Sequence, residues 1–199
     1  MKPMLLAILF VLAPFAAADG VPSSKARTVT SLDEQQDEAS RIKTRDRLER
    51  LLDKAGPTIN VAFSRSKKQP FNYVASLKTG LVHADSLEIV VLVTPKDTIN
   101  FRVYPHYKGG YINVDKARDR ISLMRSLLSL SGRTFLFWGA DEGGDVFTGY
   151  TFTLESGFPD ESINTVLRSI PHSDKFVGEL SKSLAPKPGP PRRRRPIRR

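Results

Sequence analysis

Residues Leu87–Pro105 read LEIVVLVTPKDTINFRVYP, and their spacing decides the fold class. Leu87 to Thr94 is apolar at odd and even positions alike, broken only by Glu88. Such a run predicts a central strand covered on both faces, with Leu92 a core position. Pro95-Lys96-Asp97 supplies turn chemistry. Ile99, Phe101 and Val103 then alternate with Asn100, Arg102 and Tyr104 before Pro105. Two strands joined by so short a connection pair antiparallel.

The same period extends upstream. Phe71, Tyr73, Ala75 and Leu77 alternate with Asn72, Val74 and Ser76. Ile59, Val61 and Phe63 alternate in the same way, separated from them by the polar turn RSKKQP. Four strands are therefore expected. Ahead of them the period is helical: Leu48, Leu51, Leu52 and Ala55 share a face, and Gly56-Pro57 is a strong stop. Ser31 and Glu34 have capping-box spacing, which places the helix start at Ser31. Arg41, Lys43, Arg45, Asp46, Arg47, Glu49 and Arg50 read as a solvated outer face.

Downstream, a Gly109-Gly110 loop leads into a helix over Val114 to Leu130. It carries two apolar stripes. Val114, Ala117, Ile121, Met124 and Leu128 form one; Leu123, Leu127 and Leu130 form the other. One stripe belongs to the core, and the leucine stripe is the expected subunit contact of a homodimer. Gly132 ends the helix. Thr134 to Gly139 and Val146 to Glu155 then predict a hairpin around Asp141-Glu142-Gly143-Gly144-Asp145. Pro159, Asp160 and Glu161 open a last helix, with Ile163, Val166, Leu167 and Ile170 on its inner face. Pro171 should break it before Phe176, Val177, Leu180 and Leu184 resume the stripe. The expectation is one α+β domain over 31–184, in the order helix, four strands, helix, two strands, helix.

The two ends differ from this middle. Met4 to Phe15 is an apolar run of about a dozen residues behind Lys2, followed by Ala16-Ala17-Ala18. This reads as a signal peptide over 1–18 cleaved between Ala18 and Asp19, and so as a periplasmic or secreted protein. Residues 19–30 read as a flexible lead-in. Residues 185–199, APKPGPPRRRRPIRR, are Pro- and Arg-rich and read as a disordered tail. The 199-residue chain has a net charge of +10. The tail holds seven of the cations, and the stretch between Asp19 and Ala185 is close to neutral. A nucleic-acid-binding fold carries its positive charge on the fold itself. Binding through the tail alone is a minor alternative that export argues against. The expected target of Arg192, Arg193, Arg194, Arg195, Arg198 and Arg199 is an anionic envelope surface.

Little in the sequence points to catalysis. Cysteine is absent, which excludes disulfides and thiolate sites. His83, His106 and His172 lie far apart and lack metal-type spacing. No nucleophile elbow, phosphate loop or dinucleotide fingerprint occurs. The 141–145 carboxylates read as a hairpin turn before a calcium site. The catalytic alternative is a metal-dependent hydrolase using Asp141 and Asp145 with one of the loop histidines. No cofactor or metal is expected. Phe135, Phe137, Trp138, Phe147, Tyr150 and Phe152 read as core with some exposure on one face.

Three stretches together resemble the YbjN family, which shares a fold with type III secretion chaperones. They are Leu48–Gly56 (LERLLDKAG without its charged Glu49 and Arg50 positions), ISLMRSLLSLSG from Ile121, and FLFWGADEGGDVFTGYTFTLE from Phe135. The resemblance spans Arg41 to Leu184 and lies in element order and apolar pattern. It implies an α+β domain without known catalytic residues that dimerises or binds a peptide. The signal peptide and the Pro/Arg tail are departures from that pattern.

Overall fold

The computed structural model describes residues 24–96 and 98–184, with side chains from Asp37 onward. The signal peptide, the lead-in before Ser24 and the Pro/Arg tail lie outside the described residues. The chain divides into two compact units, Met1–Gln36 and Asp37–Arg199. The described backbone of the first belongs to the start of helix α1, Ser24–Ala55. The second unit holds everything that follows. Helix thus replaces the lead-in expected over 24–30 and runs through Ser31, which is not the helix start.

The α+β architecture is as the sequence implies. Strands β1 (Ser64–Arg65), β2 (Asn72–Leu77), β3 (Ser86–Val93), β4 (Thr98–Tyr107) and β5 (Gly110–Tyr111) precede helix α2 (Arg120–Arg133). Strands β6 (Phe137–Ala140) and β7 (Val146–Thr153) precede helices α3 (Asp160–Ser169) and α4 (Asp174–Leu184). All pair antiparallel in one seven-stranded sheet of order β1-β2-β3-β4-β7-β6, with β5 added to β4.

The β3–β4 pair sets the layers. Val91 lies opposite Phe101, Ile89 opposite Val103 and Val93 opposite Ile99, and all six are buried. They form one core with Leu48 and Leu52 of α1, Leu123, Leu127 and Leu130 of α2, and Ile163, Val166, Leu167, Val177 and Leu180 of α3 and α4. The other face of β3, Glu88, Val90 and Leu92, is half-exposed. Leu92 is therefore not the core position its apolar neighbours imply. The helices lie on one face, so a strand can be central in the sheet without being covered twice.

Local chemistry explains three further departures. Ile59 to Phe63 does not pair as a strand. A 3-10 turn, Gly56–Ile59, ends with Asn60 in the left-handed region at φ 57°, and the chain pairs only from Ser64. A Cβ at Gly56 would lie 2.7 Å from the Val61 carbonyl oxygen, so this turn requires glycine. Helix α2 starts six residues late because the Asn113 side chain accepts from the Asp115 and Lys116 amides, at 2.9 and 3.2 Å. That local turn competes with helix, and the Asp119 carboxylate caps the helix instead by accepting from Ser122 N–H. Strand β4 runs through Pro105, because β7 pairs only as far as Val103 and the ladder asks nothing of the missing N–H.

Pro171 interrupts the last helix as expected, with a 3-10 turn Ile170–Ser173 between α3 and α4. Asp174, at the start of α4, is a feature the sequence did not single out. It is buried, and its carboxylate accepts from the amides of Val82, His83 and Ala84 at 2.7 to 3.2 Å. One side chain thus satisfies three backbone donors of the β2–β3 loop. Asp174→Ala should lower unfolding stability by about 1.5–3 kcal/mol, since it strands these donors. Denaturant unfolding with an unchanged midpoint would show that water replaces the carboxylate at no cost.

Candidate interaction surfaces

Helix α2 presents its surface the opposite way round from the expected one. Leu123, Leu127 and Leu130 are buried in the core of the chain. The other stripe is exposed: Ile121 at 65%, Met124 at 52% and Leu128 at 73%. Both stripes have helical spacing, and only the sheet decides which one turns inward. Val114 and Ala117 belong to neither, because they lie in the turn before the helix and pack half-buried against the core.

The half-exposed face of the sheet carries a row of aromatics. Phe137 meets Phe147 edge-on with centroids 5.6 Å apart, and Phe147 lies 5.7 Å from Tyr104. Tyr104 meets Tyr111 at 6.0 Å, and Tyr111 lies 4.2 Å from His106. The Arg102 guanidinium sits 4.8 Å over the Phe147 ring. Tyr111 donates its hydroxyl to Glu88 Oε2 at 2.6 Å, and His106 Nε2 lies 3.4 Å from the same oxygen. Accepting the Tyr111 proton, together with burial, pushes the phenol up to about 12. Trp138 and Phe152 belong instead to the core face, while Phe135 is exposed and stacks on Tyr150 at 4.9 Å.

The 141–145 loop is a turn built from its own polar groups. Asp141 Oδ1 accepts from the amides of Gly143 and Asp145, at 3.0 and 2.9 Å. Asn113 Nδ2 donates to Asp145 Oδ1 at 2.7 Å and to the Gly143 carbonyl at 2.8 Å. Gly144 takes a positive φ of 78°. The three histidines lie elsewhere. The His83 ring packs against Gly178 of α4, where a Cβ would come within 2.9 Å of it. His106 is beside Glu88, and His172 lines a cavity of about 270 Å³ with Trp138 and Phe176. Among the described residues, no histidine hydrogen-bonds to Asp141 or Asp145.

The charged face of α1 is partly structural. Arg41 donates from Nε and Nη2 to the Val93 carbonyl, at 3.1 and 2.8 Å, and lies 3.6 Å over the Phe71 ring. Arg47 pairs with Asp160, and Arg65 of β1 pairs with Glu49. Between α1 and α3 lies an open cleft of about 730 Å³. Leu51, Ala55 and Leu167 line it, with Arg47, Arg50, Lys54 and Arg168 around them.

No family model and no curated protein matches the sequence. Among solved structures, the chain is similar to YbjN from E. coli, at 14% identity and a TM-score of 0.45, over 71% of this chain and 95% of that one. It is also similar to a chain of the ExsC–ExsE complex, at 14% identity and a TM-score of 0.41, over 68% of this chain and 94% of that one. Both are likenesses of fold.

The Tyr111–Glu88 bond has a pH signature. The folded state holds the phenol proton more tightly than the unfolded chain, whose tyrosines ionise near 10. Its contribution is therefore complete below about pH 10 and is lost as pH rises toward 12. Ultraviolet titration should show a late-ionising tyrosine that moves down in Glu88→Ala. An unchanged titration would mean that burial alone holds the proton.

Proposed function

We propose that the chain is a non-enzymatic protein-interaction module whose docking surface is the outward stripe of α2. The observation that carries this reading is the alignment of Ile121, Met124 and Leu128, three large apolar side chains more than half exposed along one helix. Removing such a side chain fully from water is worth about 1.5–3 kcal/mol. The helix already buries Leu123, Leu127 and Leu130, so its attachment to the core does not need a second stripe. Contiguous apolar exposure of this kind is the mark of a surface that another chain covers. Asp141 and Asp145, by contrast, spend their acceptors on the turn that holds them.

The module is also proposed to work outside the cytoplasm, cleaved near Ala18/Asp19 and held weakly at an anionic envelope surface by its tail. The segregation of charge favours this. Seven cations follow Leu184, behind a stretch that is nearly neutral. Arginine forks bind phosphate oxygens in pairs and stay charged. Each cation near an anionic surface contributes about 1 kcal/mol, reduced by salt.

Two measurements check these readings. Ile121→Glu/Leu128→Glu changes only exposed positions, so the circular dichroism spectrum should be unchanged while proteins co-purifying from the native envelope are lost. Recovery of the same proteins by the variant would overturn the α2 assignment. The mature chain from Asp19 should sediment with phosphatidylglycerol vesicles at low salt and be released at physiological salt, whereas the same chain ending at Ala185 should not bind. Equal binding by the two forms would dismiss the tail as the tether.

A further inference from the structure

The open face of the sheet has a direction, and so does the Pro/Arg tail. Leu184, the last residue of α4, shares a cavity of about 190 Å³ with Tyr107, Lys108, Tyr111 and Lys116. The aromatic row begins at this point. From Tyr111 it steps 6.0 Å to Tyr104 and then 5.7 Å to Phe147. Phe147 lines a second cavity, of about 430 Å³, with Arg102, Asp141 and Glu142. Two carboxylates there outweigh one guanidinium. Asp141 keeps its charge while one of its oxygens holds the turn. Glu142 is exposed and has no ion-pair partner among the described residues. The face thus runs from lysines and rings beside Leu184 to carboxylates beyond Phe147. The chain after Leu184 runs in the matching order. Pro186–Pro191 holds four prolines and a single cation, Lys187, and Arg192–Arg195 follow.

We propose that the chain's own tail is the occupant of this face, with Pro186–Pro191 along Tyr111 and Tyr104 and Arg192–Arg195 at Asp141 and Glu142. The length is sufficient. Six residues in a polyproline conformation span about 19 Å, and only the steps of 6.0 and 5.7 Å separate Tyr111 from Phe147. Proline-rich segments dock on aromatic-lined surfaces because they lose little conformational entropy in doing so. Arginine forks take carboxylate oxygens in pairs. Charge sets the direction, since Lys108 and Lys116 would repel the arginines from the near end. Among the described residues no helix covers this side of the sheet. The inference goes beyond the envelope tether. The same arginines serve both, so an anionic surface and the sheet face compete for them. Vesicle sedimentation reads the tether alone, so either assignment can fail without the other.

The chain has no cysteine, so Ile197→Cys provides one attachment point and keeps every cation. A nitroxide placed there, on the chain from Asp19, should broaden the amide signals of Glu142, Gly143 and Phe147 at low salt. Those of Glu161 and Asn164 in α3 should stay sharp. In about 1 M salt, where charges act over only about 3 Å, the selective broadening should be lost. Glu142→Lys changes one exposed side chain and should also abolish it, with the rest of the spectrum unmoved. Isotope-labelled wild type mixed with spin-labelled chain of natural isotope content should show no broadening, because the contact lies within one copy. Broadening that is absent, that falls equally on α3, or that survives both salt and Glu142→Lys would overturn the proposal. Equal broadening in the mixture would assign the tail to a second copy and overturn it as well.

Discussion

The pairing of β3 with β4 is the constraint from which the other placements follow. Val91 against Phe101, flanked by the Ile89–Val103 and Val93–Ile99 pairs, makes one face of the sheet apolar across its middle. A strand's side chains alternate strictly, so this register also commits Glu88, Val90, Asn100 and Arg102 to the opposite face. Every helix then has one place to go. The residues left behind are mixed, and that face settles as a half-exposed row of rings and charges rather than a second core.

Polar groups fix what the apolar pattern leaves free. The carboxylate of Asp174 gathers three amides of the 82–84 segment, tying α4 to the loop before β3. Arg41 takes the carbonyl of Val93 at the far end of the same strand and lies over Phe71, tying α1 to the sheet. Asn113 links the 113–116 turn to the 141–145 loop through Gly143 and Asp145. Each device satisfies backbone groups that would otherwise be costly to bury. The polar clusters that invite a catalytic reading are thus already engaged in holding loops.

The sequence revealed periods and stops more readily than it revealed facing. The β3–β4 hairpin, the halt at Gly56-Pro57 and the interruption at Pro171 were legible because turn residues and alternation act locally. Two misreadings had non-local causes. Leu92 looked like core because its own strand is apolar but for Glu88, yet among the described residues no helix covers its side of the sheet. The strand expected at Ile59 to Phe63 kept its alternation of burial without a ladder, since those residues cover the end of α1 while β2, on the side away from β3, pairs only with Ser64 and Arg65. Asp174 gave no sequence signal, because an acidic residue at a helix start is ordinary; only the distant 82–84 amides make it special.

The same distinction decides α2. Two stripes of similar apolarity wind around it, and propensity cannot choose between them. The choice is made where the helix meets the edge of the sheet. Ser131 Oγ accepts from Trp138 N–H at 2.7 Å and lies 2.9 Å from the Trp138 carbonyl, so one hydroxyl occupies both outward groups of that rung of β6. This closes that rung of the strand edge to a further strand, which edges otherwise invite. It also fixes the rotation of α2, because Ser131 must face β6 while Leu127 and Leu130 turn into the core beside it. With Asp119 holding the other end, Ile121, Met124 and Leu128 have no direction left but outward. The exposed stripe is a consequence of how the helix is fastened to the sheet edge, and that gives the surface a fixed geometry.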